Sequence, residues 1–347
     1  MSMRQRGFSL VEFMIAMTIG LFLVAGLAYL IANTSSSRAE IERASRQIEN
    51  GRYALDRIAE DARHAGYLGE YYDLPAPGSA GFPATLAAAD PCATALVDLT
   101  NGLPLSVQGY DGASTTSPLT CIDSADYKGF TDVLVVRRVA TVDTPVASLV
   151  ANQPYVQSNP TGYVLDLGSN YPTNFILTLP TASTTATVVA PMRRYIVHIY
   201  YVSKCNVPAS GTTCNGTTDD GGISIPTLKM LELTADASGT TFQTLGVAEG
   251  IEHLQIDYGV DANTDGVADS FSMCDSTTPC STADFSNVVA LQINLVAKNT
   301  EASPGHSDTK KYSLGLKGYT AAANDGYRRH SYNALVRLNN VAMRREK

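Results

Sequence analysis

The nine residues Asp261-Ala262-Asn263-Thr264-Asp265-Gly266-Val267-Ala268-Asp269 carry the clearest ligand chemistry in this sequence. Oxygen side chains stand at the first, third and fifth positions, and Gly266 permits a sharp turn at the sixth. Such donors can converge on a hard cation, with a main-chain carbonyl added by Val267 and a further carboxylate by Asp269. Calcium is the expected ion. The EF-hand pattern needs Glu at the twelfth position, where Ser272 stands, so that motif is excluded. The same residues also suit a polar hairpin loop closed by Asx turns, and spacing alone leaves both readings open.

Six cysteines, Cys92, Cys121, Cys205, Cys214, Cys274 and Cys280, form an even set. Cys205 with Cys214, and Cys274 with Cys280, each bracket a short loop rich in Gly and Thr or in Pro and Thr. Sequential pairing into structural disulfides is therefore expected, provided the domain is exported. Zinc is disfavoured, because no C-x2-C pair and no neighbouring histidine pair occurs. His64, His198, His253, His306 and His330 are scattered, and H-E-x-x-H, G-x-S-x-G and P-loop patterns are absent. No catalytic residue is nominated, and an enzyme is not expected. His198 and His253 lie in strand-like runs and read as sheet-face residues.

The elements that position these groups begin with an apolar stem. Residues 13–37 carry no charge and residues 13–31 are almost wholly apolar. As a helix that run spans roughly 28 Å, close to a bilayer's hydrocarbon thickness. Arg4 and Arg6 precede it, which keeps the N-terminus cytoplasmic and sends the rest across. No well-formed small-residue cleavage site follows, so the helix is expected to be retained. Over 38–65 the residues Ile41, Ala44, Ile48, Gly51, Leu55, Ile58 and Ala62 form one stripe on an otherwise charged helix, ending at Gly66. A sheet or a coiled-coil partner could cover it. Period-two runs at 132–139, 193–202, 228–233, 251–258, 288–297 and 331–338 read as strands, with loops at 74–120 and 203–225. One long helix followed only by strands predicts an α+β fold, a helix on an antiparallel sheet.

Glu12 is the oddity of the stem, since a carboxylate at the edge of a membrane helix is costly. It belongs to Arg6-Gly7-Phe8-Ser9-Leu10-Val11-Glu12, which resembles the processing site of type IV prepilins. That resemblance implies cleavage by prepilin peptidase between Gly7 and Phe8, followed by N-methylation of Phe8. It divides the chain into a leader (1–7), a transmembrane and filament-core helix (8–32), an amphipathic helix (33–66) and a periplasmic β-rich domain (67–347). A new α-amine at Phe8 would have an ordinary pKa of about 7.7–8.0 and be largely cationic. Paired with it, Glu12 is tolerated among apolar helices where a lone carboxylate is not. In pilins this pair is thought to set subunit register, a role the resemblance carries onto Phe8 and Glu12.

The segments Asn50-Gly51-Arg52-Tyr53-Ala54-Leu55 and Asp61-Ala62-Arg63-His64-Ala65-Gly66-Tyr67-Leu68-Gly69 resemble the PilW family of minor pilins. So do Tyr258-Gly259-Val260-Asp261 and the Arg-rich closing stretch 327–340. The resemblance implies a pilin-like fold enlarged by loops. It also implies a non-enzymatic subunit that primes type IV pilus assembly with other minor pilins, the major pilin and the inner-membrane assembly platform. Such a subunit spans the bilayer once, passes into the extracellular pilus near its tip, and serves twitching motility or cell adhesion. The alternatives are a J-type pseudopilin of type II secretion and a tip adhesin using the 74–120 loops.

Composition agrees with a folded, exported chain. Of 347 residues 44% are hydrophobic and 17% charged, enough apolar material for a large core. The formal charge is −8, which argues against a nucleic-acid partner. Residues 71–309 carry 8 basic against 23 acidic side chains, whereas residues 310–347 carry 9 against 2. An acidic exterior with a basic closing segment packed on it is the simplest reading.

Overall fold

A computed structural model describes residues 9–180, 188–214, 216–321 and 325–346. The chain divides into two compact units, residues 1–46 and residues 47–347. Helix α1 (Leu10–His64) runs through both. Its start is capped by side chains: Ser9 Oγ accepts from the Val11 amide, and Glu12 Oε2 accepts from the Ser9 amide at 3.0 Å. In the first unit the large apolar side chains from Leu10 to Ile31 are all more than half exposed. By length and composition this segment can cross a membrane.

In the second unit α1 buries Gln47, Gly51, Ala54, Ile58, Ala59, Asp61 and Ala62. The buried face therefore begins at Gln47, and Ile41 and Ile48 remain 69% and 45% exposed. The stripe expected from the sequence is correct from Gly51 onward, where the chain's own sheets cover it. Gly66 ends the helix with φ of 71°, its amide bonded to the Arg137 carbonyl at 2.8 Å.

The strands in chain order are β1 (Val107–Tyr110), β2 (Val133–Val139), β3 (Pro154–Asn159), β4 (Gly162–Leu167), β5 (Thr178–Leu179), β6 (Val188–Val189), β7 (Met192–Ser203) and β8 (Thr227–Asp236). They continue as β9 (Gly239–Glu249), β10 (Ile251–Val260), β11 (Ser270–Ser272), β12 (Val288–Lys298), β13 (Lys311–Leu314), β14 (Lys317–Thr320) and β15 (Arg329–Arg337). Every described strand pairing is antiparallel. β7 is the spine of a seven-stranded sheet, pairing with β2 over 195–200, β3 over 192–194 and β8 over 198–203. β9 closes that sheet beside β8. A second sheet runs β11-β10-β12-β15, and β13-β14 and β5-β6 form two small ribbons.

One core lies between α1 and the sheets, combining Ala54, Ile58 and Ala62 with Leu134, Tyr200, Leu228, Ile256 and Ile293. The opposite faces of β2, β7 and β8 supply Val133, Val135, Val197, Ile199 and Leu231 to another, closed by Leu99 and Leu103. This alternation along single strands is the pattern of a sheet buried on both faces. The fold is α+β, with one correction: α1 is followed by more than strands. The expected loop 74–120 contains α2 (Leu96–Gly102) and β1, and α3 (Thr282–Ser286) and α4 (Asn339–Arg345) occur later. These helices are too short to show a helical hydrophobic period.

Candidate functional site

Of the expected processing residues, Gly7 and Phe8 lie outside the described residues. Glu12 stands in the first turn of α1, where its carboxylate satisfies the Ser9 amide. The Ser9-x-x-Glu12 spacing that belongs to the cleavage motif also serves to cap the helix. An acid at this position also complements the positive end of the helix dipole.

The Asp261–Asp269 loop joins β10 to β11 as a hairpin, with Val260 paired to Ser270. Asp261 is fully buried. Its Oδ1 accepts from the Thr264 amide at 2.6 Å and its Oδ2 from the Gly266 amide at 3.0 Å. Asn263 Oδ1 accepts from the Asp265 amide, Asp265 Oδ1 from the Val267 amide, and Asp269 Oδ2 from the amides of Ala262 and Asn263. Asx turns thus organise the loop in this state. Arg345 of α4 completes it: its Nε reaches Asp261 Oδ2 at 2.7 Å and its other nitrogens reach the Asp261 carbonyl and Asn287. Burial opposes ionisation of Asp261, but Arg345 and the two loop amides hold its carboxyl below the usual range. Gly266, at φ of 80°, is required here, because a β carbon would stand 2.7 Å from the Ala342 carbonyl.

The cysteines pair sequentially, as Cys92–Cys121, Cys205–Cys214 and Cys274–Cys280. Among the described residues, the one group of three or more His, Cys, Asp or Glu side chains close enough to share an ion is Asp126, Cys205 and Cys214. Both sulfurs of that group are in a disulfide, so it offers no thiolate. The oxygens of Asp261, Asp265 and Asp269 are not gathered in this way.

Two buried polar centres were not visible in the sequence. Asp61 on α1 is buried against β7 and β2, and three donors converge on it: Arg138 Nε at 2.7 Å, His198 Nδ1 at 2.6 Å and the Tyr200 hydroxyl at 3.0 Å. Burial would raise the Asp61 pKa, but His198 and Arg138 outweigh it and bring it to about 2. His198 is also near Glu232 on β8, whose carboxyl is drawn to about 2 chiefly by His198 and also by Arg194. Burial opposes protonation of His198, yet the two carboxylates raise its pKa overall. A second centre surrounds Arg329, which pairs with Glu252, with Asp308 at 3.2 Å and with Asp325 at 2.6 Å. Both centres bind elements to one another, and Arg329 and Asp308 also line a pocket of about 280 Å3. His253 packs against Tyr319 in a tilted arrangement, 4.9 Å between ring centroids.

The comparisons with known proteins agree with the two ends of this arrangement. Residues 199–340 match the family described as Type IV Pilus-assembly protein W. Residues 2–28 match the Prokaryotic N-terminal methylation motif, which covers the capped start of α1 and its apolar run. No curated protein and no solved structure gives a significant match.

Proposed function

We propose, on the two matches, that the chain is a PilW-like type IV pilin, a minor structural subunit priming pilus assembly at the inner membrane. The single observation that carries this reading is the stem: an exposed apolar helix, begun by Glu12, inside the N-methylation match. Prepilin peptidase removes residues 1–7, and the new amine of Phe8 meets the Glu12 of a neighbouring stem during assembly. In the membrane the stem crosses once and the unit 47–347 faces the periplasm. The bulk of that unit hinders a further layer above it, which favours a place at the tip beside other minor pilins, over the major pilin.

N-terminal sequencing of protein from sheared filaments tests the proposal. Methylated phenylalanine from Phe8 is the expected first residue. A filament-associated chain that begins at Met1, or a chain never recovered with filaments, would refute it.

Calcium is proposed for the Asp261–Asp269 loop on its donor set, Asp261, Asn263, Asp265, the Val267 carbonyl and Asp269. Entry of the ion requires Arg345 to leave Asp261, so affinity should rise in Arg345→Gln. Titration calorimetry with calcium chloride that shows no heat in either protein would dispose of the site.

A further inference from the structure

The outer edge of the large sheet holds a pocket with unused chemistry. It measures about 640 Å3 and lies between the β8–β9 hairpin and the loop closed by Cys205–Cys214, a size ordinary for ligand clefts. By strand alternation Lys229 shares a face of β8 with Leu231 and Leu233. Across from these three on β9 stand Gly246, Thr244 and Phe242. Gly246 leaves space there, since a β carbon would meet nothing nearer than Asn206 at 3.8 Å.

Lys229 is only 6% exposed. Among the described residues its ammonium makes no hydrogen bond and no ion pair, although the pocket is lined by it. The acids around it are occupied elsewhere. Asp126 accepts from the Cys214 amide, Asp219 from the amides of Ala209 and Gly216, and Asp220 from those of Asn206, Val207 and Ile225. The ammonium itself is not fully buried but opens on the pocket, so an acceptor entering there would complete its hydrogen bonds. Burial lowers the Lys229 pKa, with the nearby acids resisting the shift.

The pocket walls narrow the choice of ligand. Asp126 and Asp236 line it and repel an anion, while Lys229 repels a cation. Thr212 and Thr244 offer hydroxyls that both donate and accept, and Phe242 supplies an apolar ring face. A neutral molecule with many hydroxyls and an apolar C–H face meets all of these demands together. We propose that this pocket binds a saccharide, with Lys229 donating to its hydroxyl oxygens and Phe242 lying against its ring. The proposal is independent of the pilin reading.

Saturation-transfer difference NMR on the full chain in lauryldimethylamine N-oxide micelles tests it, with glucose, galactose, mannose and N-acetylglucosamine as probes and glycerol as control. Transfer to ring protons of at least one sugar is expected, none to glycerol, and a fall to background in both Lys229→Met and Phe242→Ala. Should Lys229→Met fail to fold by circular dichroism, Thr244→Val takes its place. No transfer from any of the four sugars, or transfer undiminished in the folded variants, overturns the proposal.

Discussion

Replacing Asp61 by alanine removes the acceptor on which Arg138, His198 and Tyr200 converge. A carboxyl drawn from its ordinary value to about 2 corresponds to about 2–3 kcal/mol of interaction. Removing one member of a buried charged set costs roughly 3–5 kcal/mol, because the partner charge is stranded. Arg138 would be so stranded, with its side chain 14% exposed. For a unit of this size about 2 °C follows each kcal/mol, so Asp61→Ala should lower Tm by about 6–10 °C.

The pH dependence has two signs. The Asp61 pKa is depressed, so its contribution is complete above about pH 4 and is lost as pH falls through about 2. The His198 pKa is raised, so its contribution is complete below about pH 6.5 and is lost as pH rises through its folded value. The Tm gap between wild type and Asp61→Ala should be widest between about pH 4 and 6.5 and narrow on either side. Thermal unfolding of the full-length proteins by circular dichroism across that range measures it. Coincident melting curves near pH 5, or a gap still widening above about pH 8, would show that the convergence on Asp61 does not hold α1 to the sheet.

In Gly51→Val the added β carbon falls 2.3 Å from the Tyr332 ring, so urea unfolding should show a loss of about 1–3 kcal/mol, partly recovered when Tyr332 is also made smaller. Paired alanine replacements should rank the disulfides by separation. Losing Cys92–Cys121, 29 residues apart, should cost about 3.5 kcal/mol and losing Cys274–Cys280, 6 apart, about 2 kcal/mol; urea midpoints in the reverse order would contradict this. Glu12→Ala should leave the circular dichroism of the globular unit unchanged yet remove the chain from sheared filaments, as read by immunoblot.

Much of the architecture was legible because single strands and turns advertise themselves locally. The run 193–202 alternates through Tyr195, Val197, Ile199 and Tyr201, and it became β7, the spine of the sheet. Gly66 marked the end of α1 by the backbone freedom its left-handed φ needs. The short cysteine separations anticipated two bridges. Other features depend on partners far along the chain. Asp61 looks like one more acid among alternating charges on a helix, and only the placement of His198, 137 residues later, makes it a buried hub. β9 was missed because its burial is shallow and its Thr, Gln and Gly residues dilute the alternation. The 261–269 loop shows the reverse limit: its donor spacing was plain, but Arg345 arrives from α4, 84 residues away, and no local pattern announces it.

The Tyr332 ring packs against the bare backbone of Gly51, so a helix and the last strand share one volume that neither can enlarge alone. Inheritance should respect that arithmetic. Among natural relatives, a bulkier amino acid where this chain has Gly51 should travel with a slimmer one in place of Tyr332, and the two sites should mutate as a couple rather than as strangers.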